Sequence, residues 1–287
     1  MNYLKFTLIF SLIITCFLIL ATCGKSGVTK QDMGVIINLA GKQRMLTQKM
    51  SKEILLIAKG INVVENQKNL RHTATLFNKT LAGLANGDSE LALVKIENPS
   101  IARQIYKVYK LWKVFLESVN MVLMGDTSPA VLKNIAQQNL PLLKEMNKAV
   151  KMYEKESSSS LEPWLAVTIN LAGKQRMLTQ KMTKELLLVA IGIEPKKNQA
   201  KMEQTMSSFE RTLAGLLDGD AELGLPATKD VVIRDQLMLV KNQWNSYKSI
   251  LIKNNVFNPD LIIASRVNIL LLKEMDKAVH MYADSVK

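Results

Sequence analysis

The sequence predicts an all-α chain of two tandem four-helix bundles, on three observations. The segment Ile37 to Met50 recurs without change as Ile169 to Met182, 132 positions later. Apolar residues return at three- and four-residue spacing through most of the chain, with almost no β-branched alternation. Turn and cap signals cut each copy into four segments with short connections, the pattern of a helical bundle.

Each element can be justified in turn. The first helix of the first copy runs from about Asp32 to Ala58, and Gly60 can end it. The second covers about Gln67 to Ala85, with Asn86-Gly87 as its stop signal. Asn98-Pro99 and Ser128-Pro129 place proline in the first turn of helices three and four, where its missing donor costs nothing. Helix four carries Leu143, Met146, Val150 and Tyr153 as a buried stripe. Pro141 interrupts this helix where the second copy has Leu270, which predicts a kink in the first copy only.

The duplication is long-range. The 132-residue offset carries Thr80–Leu84 onto Thr212–Leu216, Gly87-Asp88 onto Gly219-Asp220, and Trp112 onto Trp244. It then falls to 129, where Leu142–Met146 recurs as Leu271–Met275. Three residues are therefore missing from the second copy, expected from the loop around Gly125 to Ser128. A period of this length marks domain duplication, not a short solenoid repeat. The expected division is residues 1–26 as a signal or lipoprotein anchor, 27–155 as the first domain, 156–163 as a Ser-rich linker and 164–287 as the second domain.

At the N-terminus, Lys5 precedes an apolar run from Phe6 to Ala21 and a small-residue exit, Thr22-Cys23-Gly24. That is the pattern of a secretory signal and implies a periplasmic location. Leu20-Ala21-Thr22-Cys23 also resembles a bacterial lipobox, although Thr22 departs from the usual Gly, Ala or Ser. Acylation at Cys23, simple secretion and a retained membrane anchor all remain open.

Both cysteines, Cys16 and Cys23, fall in this segment, so the domains that follow hold no disulfide and no thiolate site. His72 and His280 stand at non-equivalent places and read as surface residues, so no metal site is expected. The formal charge of +13 invites a nucleic-acid partner. Aromatics are only 6%, however, and no basic run is interleaved with them, which excludes that class. No nucleophile–base arrangement, phosphate loop or metal-ligand spacing is present, so neither an enzyme nor a cofactor is expected.

Helix one is two-faced. At 100° per residue, Leu39, Leu46, Met50 and Ile57 form an ordinary core stripe. Ile37, Gly41, Arg44, Gln48 and Leu55 lie roughly opposite, where a solvated helix would carry Lys and Glu. The second copy repeats that face as Ile169, Gly173, Arg176, Gln180 and Leu187. Such a composition fits a second buried contact, in which the arginine needs a partner. Helix three has drifted by comparison, with Arg103 in one copy and Asp235 in the other.

Asn38-x-Ala-Gly-x-x-Arg-Met-Leu-x-Gln-x-Met, followed by Phe-x-x-Thr-Leu-x-x-Leu-x-x-Gly over Phe77 to Gly87 and Phe209 to Gly219, resembles the PilJ-type sensory domain. This is the periplasmic N-terminal domain of type IV pilus chemosensory transducers, related to the sensor domains of the NarX and NarQ nitrate receptors. The resemblance covers nearly all of the chain after the signal, twice. It implies that the two repeats pack as an intramolecular version of the family's dimer. It also implies that Arg44 and Arg176 clasp one small oxyanion such as nitrate or nitrite. Gly41 and Gly173 would let the backbone approach it, and Asn38, Asn170, Gln48 and Gln180 would complete the site. The nitrate sensors carry Lys directly after the Asn, whereas Leu39 and Leu171 stand here. No kinase, coiled-coil or methyl-accepting region is recognisable, so a sensory protein without its own output is expected. The alternative is a helical interaction module that docks onto a membrane chemoreceptor or pilus component, with the arginine face as its interface.

Overall fold

The computed structural model describes residues 28–253 and 256–285. The signal reading and Cys23 lie outside them. Among the described residues no helix is long and apolar enough to cross a membrane.

The first repeat comprises α1 (Lys30–Ala58), α2 (Val63–Asn86), α3 (Pro99–Leu123) and α4 (Pro129–Glu156). The second comprises α5 (Pro163–Ile191), α6 (Pro195–Asp218), α7 (Val231–Leu251) and α8 (Asn258–Asp284). Thr29 and Asp32 close a capping box at the start of α1. Asn98 and Asp230 cap α3 and α7 through their side chains. The Ser-rich segment is not a loose tether. Ser157–Ser159 form one 3-10 turn, and Leu161 is buried behind it.

Three details differ from the expectation. Helix two begins four residues earlier, because Asn66 donates its side-chain amide to the carbonyls of Ile61 and Asn62 and ties down the first turn. The residues missing from the second copy come from helix rather than loop. α3 has 25 residues and α7 has 21, while the loop that follows does not shorten. In α4, Leu142 rather than Leu143 is fully buried, in line with Ile135, Asn139, Met146 and Tyr153. The helix is continuous through Pro141.

Each bundle closes over an aromatic pair, Phe77 on Trp112 at 4.4 Å and Phe209 on Trp244 at 4.7 Å between ring centroids. Gly83 and Gly215 are structural. A Cβ there would come within 2.9 to 3.0 Å of the leucine and aspartate of the following turn. The two bundles then fold on one another through α1 and α5. Contacts across this seam are reciprocal, and Lys52 and Lys184 reach the asparagines bonded by Gln180 and Gln48, so equivalent levels meet and the helices run side by side in the same direction about a pseudo-two-fold axis. The result is an intramolecular pseudo-dimer. α1 buries 21 of its 29 residues, and so presents almost no solvated face.

Candidate functional site

The second face of α1 meets its twin at the axis. Arg44 and Arg176 are 1% and 0% exposed. Arg44 donates Nη1 to Asn147 Oδ1 at 2.8 Å and Nη2 to the Asn170 carbonyl at 3.0 Å. Arg176 donates Nη1 to Asp276 Oδ1 at 2.6 Å, and Nη2 to the carbonyl and side-chain oxygens of Asn38 at 3.0 and 2.9 Å. Each arginine thus reaches into the opposite repeat. The Nε of each is buried with no acceptor among the described residues.

Gly41 and Gly173 face this pair. A Cβ on Gly41 would lie 3.4 Å from Arg44 Nη2 and 3.7 Å from Arg176 Nη2, and Gly173 mirrors both distances. The two guanidinium tips therefore converge over two adjacent backbone notches. Both glycines sit inside helices with ordinary negative φ, where glycine costs about 1 kcal/mol relative to alanine. Ordinary van der Waals room exists for the methyl group. Helix packing alone does not call for glycine at either position.

Burial first, and the Arg176 charge second, push the Arg44 pKa down to about 9, with Glu154 opposing. Burial also lowers Arg176, against the pull of Asp276. Lys151 acts on Glu154 beside Arg44, Lys42 acts on Asp276 beside Arg176, and Lys174, lowered first by burial, lies close enough to Arg44 to be lowered further by it. A buried pair of cations in locally positive surroundings favours a small anion.

The predicted residues do not all converge on one point. Asn38, Gly41 and Arg44 meet Asn170, Gly173 and Arg176 at the axis. Gln48 and Gln180 instead bond one turn further along, to Asn139 Oδ1 at 2.9 Å and Asn268 Oδ1 at 2.8 Å. Those asparagines also accept from buried lysines of the opposite repeat, Lys184 at 3.3 Å and Lys52 at 3.0 Å. This second polar layer was missed by sequence reasoning, although Asn139 and Asn268 repeat at the 129-residue offset within apolar stripes. Asn147, Asp276 and Glu154 were missed too. The copies differ at the first two, and Glu154 has Ala283 as its counterpart, so no repeated pattern marked them. Because Arg44 and Arg176 are covered by each other's repeat, neither is offered to an external partner; the arginine face as a docking interface is thereby corrected.

The family model described as PilJ, type IV pili methyl-accepting chemotaxis transducer N-term, matches residues 29–138 and 164–256. The chain belongs to this family. Each PilJ match begins within a residue of the helix that carries the arginine; the first ends inside α4 and the second before α8. The methyl-accepting chemotaxis protein McpN of Pseudomonas aeruginosa is 30% identical over 138 residues, covering 47% of this chain and 25% of the relative. The chain thus spans about a quarter of the length of that relative. Among solved structures, the ligand-binding domain of the P. aeruginosa nitrate receptor McpN is similar, with 29% identity and a TM-score of 0.38 over 43% of this chain and 96% of that one.

Proposed function

We propose that this PilJ chain is an exported sensory protein whose two repeats share one small planar oxyanion, held between Arg44 and Arg176. The observation that carries this reading is the pair of helical glycines facing two converging, buried guanidinium groups. A planar fork suits a planar anion, and an anion would offset the desolvation and mutual repulsion that depress Arg44. Asn38 and Asn170 would orient the arginines, with Gln48 and Gln180 in the layer beneath. Nitrate is the natural first ligand, because the sequence relative McpN is described as a nitrate receptor. The positive region and apolar run ahead of Cys23 support a periplasmic protein held at the membrane through its N-terminal segment. Its downstream partner would be a membrane chemoreceptor or pilus component, met through an outer face.

Calorimetric titration with nitrate, nitrite and a tetrahedral control such as sulfate tests the reading. One planar anion per chain is expected. Replacing either arginine by alanine should cost about 1.5–3 kcal/mol of binding, roughly ten- to a hundred-fold. Melting without ligand should fall, because each change leaves a cavity and strips partners from Asn147 or Asp276 and from the Asn170 or Asn38 carbonyl, so binding is compared well below the melting temperature. An absence of heat with every anion, or two independent sites per chain, would overturn it.

A further inference from the structure

A cleft of about 770 Å³ opens between α4 of the first repeat and α5 and α6 of the second. Lys133 enters it from α4, Lys184 from α5, and Lys197 and Lys201 from α6. Lys184 is 4% exposed, and its recorded hydrogen bond is the one at 3.3 Å to Asn139, which leaves donors to spare. Glu194 is the sole carboxylate in the lining, and Lys197 takes it at 2.8 Å. Leu140, Leu188 and Ile193 supply an apolar wall.

The other side of the pseudo-dimer is the internal control. The equivalent positions, by the 132- and 129-residue offsets, keep Lys52 for Lys184 but place Ile262 for Lys133, Glu65 for Lys197 and Asn69 for Lys201. The buried lysine belongs to both halves. The other three lysines belong to one cleft only, so the shared fold does not require them.

We propose that this cleft is a second ligand site, distinct from the arginine pair, that takes a small organic phosphate in free solution. Lysines present compact point charges suited to a tetrahedral phosphate, and no guanidinium lines the cleft to select a planar carboxylate. The volume is that of a small-molecule site rather than a bare ion, and the apolar wall gives a carbon skeleton somewhere to rest. Lys184 lies eight residues beyond Arg176 on α5, about 12 Å by helix rise, so the two sites do not overlap.

The test is titration of the full chain with phenyl phosphate at low ionic strength. One saturable site is expected. Lys133→Gln combined with Lys201→Gln should weaken it about tenfold or more. Lys110→Gln with Lys113→Gln removes the same charge from α3 and should leave affinity unchanged, as should Arg44→Ala. Lys133 is exposed, and equal melting temperatures of the lysine variants would exclude a folding defect. No saturable uptake overturns the proposal, as does equal weakening by the α3 pair. Loss of binding in Arg44→Ala would assign the anion to the arginine pair and overturn it equally. So would lysine-dependent capture by phosphatidic acid vesicles without phenyl phosphate binding.

Discussion

Arg176 holds Asn38 by both of its oxygens, while the reciprocal Arg44 reaches Asn170 by its backbone alone. The Asn170 side chain is turned away to Glu154. The pseudo-two-fold axis is thus symmetric in backbone and asymmetric in charge. Asp276 faces Arg176, where Asn147 faces Arg44.

Asp276→Asn should tighten oxyanion binding. Burial alone would raise the Asp276 carboxyl, but the Arg176 charge and hydrogen bond overcome it and hold it below its usual range. It is therefore ionised at neutral pH and repels an anion beside Arg176. Asn147 already accepts from Arg44 at 2.8 Å, so asparagine can keep the arginine in place. Removing one charge should give about a fivefold gain, the scale of roughly 1 kcal/mol for a unit pair near 4 Å in water. Asn147→Asp should cost a similar factor. Calorimetry with nitrate on both variants decides it.

Gly41→Ala should separate folding from binding. The methyl group meets only guanidinium tips at 3.4 and 3.7 Å, so the ligand-free protein should gain up to about 1 kcal/mol from helix propensity. The same methyl fills the notch, so nitrate binding should drop by a hundredfold or more. Gly173→Ala should behave alike. A large fall in melting temperature without ligand would show instead that the glycines serve packing.

Alkaline stability should report the buried lysines. Burial, the largest cause, pushes Lys52 and Lys184 down to about 8. Their surroundings are mixed: Asn268, Glu53 and Lys49 about Lys52, and Asn139, Glu185, Lys181 and Lys201 about Lys184. Between about pH 8 and the ordinary lysine value the unfolded chain binds more protons than the folded one, so stability contributed by these groups rises with pH. Below about 8 both are charged in either state, and the burial cost is fully present. Lys52→Met with Lys184→Met should flatten the pH 8 to 10 slope of denaturant-measured stability. It should also leave stability at pH 7 equal or higher, because Gln48 and Gln180 still satisfy the asparagines. An unchanged slope would refute the assignment.

Residues 27–155 expressed alone should be helical and should dimerise, since the separated repeat exposes the apolar and arginine face of α1. Sedimentation at micromolar concentration is the measurement. A monomer with a cooperative melt would mean that the seam contributes little to either half.

The helices and their pairing were legible because periodicity, proline placement and duplication all point the same way. Even the two-faced character of α1 could be read, since Gly41 and Arg44 stand where a solvated helix would carry Lys and Glu. Much of what escaped is what the two copies do not share. Asp276, Glu154 and the lysines of the α4–α6 cleft look like ordinary surface charges in one dimension. Only folding brings them against buried groups distant in the sequence. Lys52 and Lys184 escaped for another reason: at i and i+1 with glutamate they resemble a solvated pair, yet α1 and α5 have hardly any solvent side.

The short turn at Ser157–Ser159 has a consequence for how such a chain can change over generations. In an assembly of identical subunits every substitution at the axis counts twice, so the charge of a shared site can move only in steps of two. Joined in one chain, the halves can diverge singly. Asp276, opposite Asn147, and Glu154, opposite Ala283, are each a step of one, and no homodimer could have taken either step singly. Dilution cannot separate the halves either, so occupancy of the proposed axis site would depend on ligand alone and not on how much protein the cell has made.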